Sequence, residues 1–194
     1  NKAESSVVVD TRMELGFSSA HVPNAISIWE DGLPNFAGWF LPYDKPIILN
    51  NKENDPTKVV KYLIRLGYDS LDGYLSGGML SWHRKGYKSE SIETVDVHNF
   101  CKLLDQKKES PWILDVRSKE EVLENKIPKA THIHVTQLKE NLEKIPKDEK
   151  IYIFCGSGLR SMIAASLLKR EGWKDPAVIL GGTDGWNSVT CPIE

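Results

Sequence analysis

Short apolar runs rich in β-branched residues alternate along the chain with stretches whose apolar residues recur at helical spacing. The clearest case lies late in the sequence. Lys150-Ile151-Tyr152-Ile153-Phe154 reads as a buried strand, and Met162 to Arg170 has the apolar spacing of an amphipathic helix. Between them lies a glycine-bearing loop, Cys155-Gly156-Ser157-Gly158-Leu159-Arg160-Ser161. Further strands are predicted at Val8-Val9-Asp10, Ala25 to Ile28, Ile92 to Val95, Ile113-Leu114-Asp115 and His132 to Val135. Asp96 is placed to cap a helix over Val97 to Leu104. Such alternation predicts an α/β fold, with parallel sheets covered by helices on both faces. In sheets of that kind ligands gather beyond the carboxyl ends of the strands. Cys155 stands at such an end.

The pattern occurs twice. Val8-Val9-Asp10-Thr11-Arg12 matches Ile113-Leu114-Asp115-Val116-Arg117, and Val22-Pro23-Asn24-Ala25 matches Ile127-Pro128-Lys129-Ala130, both at an offset of 105 (115 − 10 and 128 − 23). Tyr62 to Tyr68 matches Leu167 to Trp173 at the same offset, and the Gly-Gly…Trp segments at Leu75 to Trp82 and Leu180 to Trp186 match with a shift of one. The chain therefore reads as a tandem, with units at 1–88 and 89–194 and a polar junction over Lys85 to Ser91. The strand and helix at Ile92 to Leu104 have no counterpart before Val7. Since Asn1-Lys2-Ala3-Glu4 lacks an initiator Met, the natural protein is expected to extend upstream.

Only one copy has the chemistry. A cysteine before a helix N-terminus faces unpaired N–H groups and the positive end of the helix dipole, and both favour the thiolate, the nucleophilic form. The glycines let successive N–H groups turn inward as an anion nest. At an offset of 105, Asn50 stands for Cys155 and Asp55 for Arg160, so the first copy has neither thiol nor arginine; Asp55 and Pro56 merely start its helix. Glu121 lies six residues after Asp115, where the first copy has Gly16, and is expected to pair with Arg160 and brace the loop. Asp115 and Arg117 persist as Asp10 and Arg12 in the disarmed copy, so they are expected to hold the fold. Ser157 and Ser161 can donate hydroxyl hydrogen bonds or simply cap.

Cys-x-x-Gly-x-Arg-Ser resembles the active-site loop of the rhodanese sulfurtransferases. Related dual-specificity phosphatases of the cell-cycle type have a loop one residue longer, which makes room for phosphate. The resemblance implies two rhodanese-like units, the first inactive. It also implies a persulfide on Cys155, with Gly156 to Ser161 as the anion-binding loop and no cofactor or metal in this chain. Sulfane sulfur would pass from thiosulfate or a small persulfide to a thiol or cyanide. The aromatic stretch Phe36 to Pro46 replaces the charged Gln137 to Glu143 of the second copy, and reads as local core or as a docking face. It resembles the rhodanese tails of metallo-β-lactamase-fold fusions of the persulfide dioxygenase type, which implies such a domain upstream. Two rival readings stand beside turnover: a relay or docking module for that domain, and a phosphatase or arsenate reductase.

Composition narrows the setting. Hydrophobic residues at 40% and charged residues at 27% are those of a globular chain, and a net charge of −2 gives no electrostatic case for nucleic acid. No apolar run is long enough to cross a bilayer. Three cysteines do not make a disulfide framework and point to a reducing, cytoplasmic setting. Cys101 is expected in the core of a helix, and Cys191, beside Pro192, is open to a resolving role. Among five histidines only His132 and His134 are closely spaced, and they read as an ordinary strand pair and not as a metal site.

Overall fold

The computed structural model describes residues 6–53, 55–106 and 111–189. The chain divides into two compact units, Asn1–Ser91 and Ile92–Glu194, a boundary three residues beyond the expected one.

In the first unit, strands β1 (Val7–Asp10), β2 (Ile26–Ser27), β3 (Ile47–Asn50) and β4 (Leu71–Tyr74) form a parallel sheet in the order β2-β1-β3-β4. Its helices are α1 (Glu14–Ser19), α2 (Leu33–Phe40), α3 (Thr57–Arg65) and α4 (Gly78–Arg84). The second unit has β5 (Glu93–Asp96), β6 (Trp112–Asp115), β7 (Thr131–His132), β8 (Ile151–Phe154) and β9 (Ala177–Leu180), all parallel, in the order β5-β9-β8-β6-β7. Its helices are α5 (Val97–Gln106), α6 (Lys119–Glu124), α7 (Leu159–Arg170) and α8 (Gly182–Asn187), with a 3-10 stretch over Val135–Lys144. Parallel pairing brings the carboxyl ends of β6, β7 and β8 to one edge, and Cys155 directly follows β8.

Strand alternation sorts the core of the second unit into two faces. Ile113, Tyr152, Phe154, Ala177 and Ile179 pack with Val97, Phe100 and Cys101 of α5. Leu114, Ile153 and Val178 point to the other face and are fully buried. Helix α7 departs from the predicted amphipathic form, because every residue from Ser161 to Leu168 is buried. The helix carrying the loop is therefore held from all sides, which suits an element whose first turn must not move. Asp96 caps α5 as expected, its Oδ1 accepting the Asn99 N–H at 2.8 Å. The strand predicted to Val135 ends at His132, and the chain turns into the 3-10 stretch instead.

The two copies agree in backbone detail. Asn24 (φ 62°) and Lys129 (φ 60°) occupy the left-handed region at the same place in the Pro-x-Ala turn, at the 105 offset (129 − 24). The offset fails at the third strand. Asp10 pairs in register with Asn50, and Asp115 with Phe154, so Asn50 is the counterpart of Phe154 at an offset of 104 (154 − 50). The N–H of Thr11 donates to the Asn50 carbonyl just as that of Val116 donates to Phe154. The residue standing for Cys155 is thus Asn51, not Asn50. The 105 offset returns by Gly67 and Gly172, which both have positive φ (172 − 67). Helix α3 starts at Thr57, with Pro56 at its N-cap and Asp55 accepting the Thr57 N–H at 2.9 Å, one residue beyond the predicted start.

Candidate active site

Cys155 lies buried between the end of β8 and the start of α7, and it is a free thiol. Its Sγ accepts the N–H of Gly158 at 3.0 Å and that of Ser161 at 3.4 Å. Gly158 makes the first bond available by its φ of 116°, a conformation open to glycine that turns its N–H back toward the sulfur. The Ser161 hydroxyl is buried and has no hydrogen-bond partner. Ser157 is exposed at the loop tip and Leu159 is half-buried.

Arg160 is engaged by Glu121. Its guanidinium makes a two-pronged pair with Glu121, Nη1 to Oε2 at 2.5 Å and Nη2 to Oε1 at 2.6 Å. The hydrogen bonds from Arg160 hold the Glu121 carboxyl down at about 2, against desolvation. The same pair raises Arg160, with a further push from Cys155. Glu121 also accepts the Ser118 N–H at 2.9 Å while the Ser118 hydroxyl accepts the Glu121 N–H at 3.3 Å, a reciprocal cap on α6. Sequence reasoning paired Glu121 with Arg160 but missed this cap, although Ser118-Lys119-Glu120-Glu121 is the sequence form of one. A Cβ on Gly156 would come within 2.9 Å of Arg160 Nη2, so a side chain there would press on the Arg160–Glu121 pair.

Beneath the loop, Arg117 is fully buried and clamps Asp115: Nε to Oδ1 at 2.9 Å and Nη2 to Oδ2 at 2.6 Å. Its Nη2 also donates to the Asn125 carbonyl at 2.7 Å, and its guanidinium lies 5.0 Å over the Phe154 ring. The first copy repeats the clamp. Arg12 Nη2 meets Asp10 at 2.7 Å and the Ala20 carbonyl at 2.7 Å, and Asn50 donates to Asp10 where Phe154 stacks.

A second missed group is Gly182-Thr183. The Thr183 N–H donates to the Gly156 carbonyl at 3.1 Å, and a Cβ on Gly182 would overlap that carbonyl. The repeated Gly-Gly marked the segment, but nothing in one dimension showed that it presses on the cysteine loop. Cys101 is buried in the core as expected, yet it is disulfide-bonded, which the sparse cysteine count did not predict. Cys191 lies outside the described residues. His132 Nε2 donates to the Arg117 carbonyl at 2.8 Å, and His134 Nδ1 bonds the Thr136 hydroxyl at 2.7 Å. The aromatic stretch divides: Phe40 and Leu41 are core, whereas Trp39 and Tyr43 are 60% and 63% exposed. No helix among the described residues is long and apolar enough to cross a membrane.

The second unit is thus a parallel α/β unit with a free cysteine in a tight glycine loop at the carboxyl edge of its sheet, two amides on its sulfur and an arginine held by Glu121. The rhodanese-like domain model matches residues 1–85 and 97–189, and the chain belongs to that family, with two rhodanese-like units in tandem. Over 84 residues it is 38% identical to the Bacillus subtilis protein named "Putative sulfurtransferase YtwF", covering 43% of this chain and 81% of that one. It is 30% identical over 82 residues to the thiosulfate sulfurtransferase GlpE of Coxiella burnetii, covering 42% of this chain and 77% of that one. A crystal structure of a rhodanese-like domain protein from Staphylococcus aureus matches at 29% identity and a TM-score of 0.45, over 49% of this chain and 91% of that one.

Proposed function

We propose that the second unit transfers sulfane sulfur through a persulfide on Cys155, taking it from thiosulfate or a low-molecular-weight persulfide and giving it to a thiol or cyanide. The observation that carries this is the pair of N–H groups of Gly158 and Ser161 on Sγ, in a loop of six residues from Cys155 to Arg160. Donors already aimed at the sulfur need no rearrangement when negative charge arrives there. The cysteine attacks the sulfane sulfur, the donor leaves with the bonding pair, and the acceptor then takes the outer sulfur. Arg160 braces the loop through Glu121, and Asp115 and Arg117 hold the strand end beneath it. The first unit has asparagine at 51 where the second has cysteine, so a single thiol does the work. The reaction needs Cys155 reduced and a supply of acceptor thiol.

The test is turnover of the chain with thiosulfate and cyanide, and separately with glutathione persulfide, in the native form and as Cys155→Ser. Turnover that depends on Cys155 supports the reading. Turnover of a phosphate ester in its place would refute it. A second reading, a relay for an upstream metal-dependent domain of the metallo-β-lactamase fold, draws on exposed Trp39 and Tyr43. It requires that Cys155 load sulfur only from that partner and from no small donor.

A further inference from the structure

Helix α8 packs on one peptide group of the cysteine loop. The Thr183 N–H donates to the Gly156 carbonyl at 3.1 Å. A Cβ on Gly182 would overlap that carbonyl and stand 2.6 Å from the Ser157 nitrogen, so α8 lies directly against the peptide joining residues 156 and 157. The Thr183 hydroxyl also accepts from Arg117 Nη1 at 3.4 Å. Thr183 therefore ties the Asp115–Arg117 clamp to the loop.

The first unit has the same turn without this contact. Gly77-Gly78 repeats the positive φ of Gly181-Gly182 at an offset of 104 (181 − 77), so Met79 stands for Thr183. By the strand register Lys52 stands for Gly156 at the same offset (156 − 52). A Cβ on Gly78 would meet no atom nearer than Asn50 Oδ1 at 3.9 Å. Among the described residues no hydrogen bond joins Met79 to Lys52. The contact thus occurs only beside the thiol.

Resting on that reading of function, we propose that Thr183 is a positioning residue for sulfur transfer. It holds the Gly156 carbonyl outward, so that the Ser157 N–H faces the sulfur and donates to the outer atom of the Cys155 persulfide. A trans peptide is planar and its N–H points opposite to its C=O. No peptide bond among the described residues is cis. With the Gly156 carbonyl turned to α8, the Ser157 N–H is turned away from α8. Ser157 has a negative φ and Gly158 a φ of 116°, an alternation of hand that draws successive N–H groups into one hollow. The next N–H in line, that of Gly158, is already on Sγ at 3.0 Å. The Ser157 N–H has no hydrogen-bond partner among the described residues.

The chemistry needs such a donor. The Cys155 thiolate attacks the sulfane sulfur of thiosulfate, sulfite leaves with the bonding pair, and Cys155-S-S⁻ remains. The new charge sits about 2.05 Å beyond Sγ, whereas the N–H groups of Gly158 and Ser161 are spent on Sγ itself. An amide fixed beforehand stabilises that charge without rearrangement. If the 156–157 peptide turned over, a carbonyl oxygen would face the anion in place of an N–H. The bond from Thr183 opposes that turn.

The experiment removes single N–H groups. Residues 1–154 as a thioester and a synthetic segment 155–194 can be joined at Cys155 itself, which allows an ester oxygen to replace the amide nitrogen of residue 157 or 183. Sulfur loading from thiosulfate, timed by intact mass in a single turnover, should slow about 100-fold with the ester at 157 and about tenfold with the ester at 183. Both esters together should be no slower than the ester at 157 alone, because Thr183 acts through the Ser157 N–H. Effects that multiply, or native loading with the ester at 183, would overturn the role of Thr183. In the native chain labelled for amide NMR, the Ser157 proton should move downfield once Cys155 carries the added sulfur. An unmoved signal on loaded protein would overturn the proposal whether or not the ligated chains refold. Failure of the native chain to take up sulfur from thiosulfate or glutathione persulfide is a different result, and it would remove the proposed function together with this step.

Discussion

Replacing Glu121 by glutamine keeps an oxygen for the Ser118 N–H but removes the charge that Arg160 grips with both prongs. The Glu121 carboxyl lies at about 2 in the folded chain, against 4.5 for the free group, which corresponds to a gross ~3 kcal/mol. Its side chain is 35% exposed and that of Arg160 is 21% exposed, so water screens much of this, and the net value should be about 1–1.5 kcal/mol. The sign follows from the depressed value. The contribution is complete above about 4.5, the unfolded value, and is lost as pH falls toward 2. Urea unfolding of the native chain and Glu121→Gln should therefore differ by a constant amount near neutrality and converge in acid. A double-mutant cycle with Arg160→Met should return a coupling of about 1 kcal/mol. Glu121→Ala should cost about 1 kcal/mol more than the glutamine variant, because the cap is lost as well. A coupling indistinguishable from zero, or a difference that stays level down to the acid limit, would refute the brace.

The other expectations concern the layers around that pair. Cys155→Ser should abolish sulfur uptake, read by intact mass after thiosulfate, without lowering the unfolding midpoint. Arg117→Met should cost about 3–5 kcal/mol in chemical denaturation, because it strands a buried Asp115 carboxylate. Gly182→Ala should slow transfer and destabilise by more than the ~1 kcal/mol of its positive φ alone, since the new methyl overlaps the Gly156 carbonyl and must displace the loop. Ser161→Ala should leave stability within about 0.5 kcal/mol, as its buried hydroxyl has no partner to lose. If that hydroxyl serves the persulfide, transfer by the same variant will slow in a single-turnover measurement.

Much of this was legible in one dimension because it is local or repeated. The Cys155 loop, the strand before it and the helix after it are contiguous, and the Asp-x-Arg and Pro-x-Ala turns were marked by recurrence. What failed was what depends on contact between distant segments. The counterpart of Cys155 was misassigned by one residue because the repeat loses its 105 spacing at the third strand, and only the pairing of Asp10 with Asn50 reveals it. The burial of α7 on all sides was hidden because helical apolar spacing marks one packed face and does not show what covers the other. Gly182 could be seen as a glycine but not as the floor on which Gly156 rests.

The tandem is itself a control on which interactions belong to the fold and which to the chemistry. The arginine clamp on the first aspartate appears in both copies with the same donors, down to the bond each Arg makes to a carbonyl eight residues on, at Ala20 and Asn125. A feature kept where there is no thiol is not there for the thiol. The Glu121–Arg160 pair exists only beside Cys155; the first copy has glycine at 16, and it also lacks the Ser118 cap, with Met13 at the N-cap of α1 making no side-chain bond. Apart from the added β5 and α5 and the 3-10 stretch in place of α2, the copies differ at the loop and the helix that braces it, while the Asp-x-Arg clamp is kept. Restoring a thiol at Asn51 alone should therefore give a folded first unit that transfers no sulfur, because the Thr57 N–H is taken by Asp55 and the loop has neither the glycines nor the arginine of the second copy. Sulfur uptake at residue 51 of Asn51→Cys, followed by mass in a Cys155→Ser background, would show instead that the sheet edge suffices.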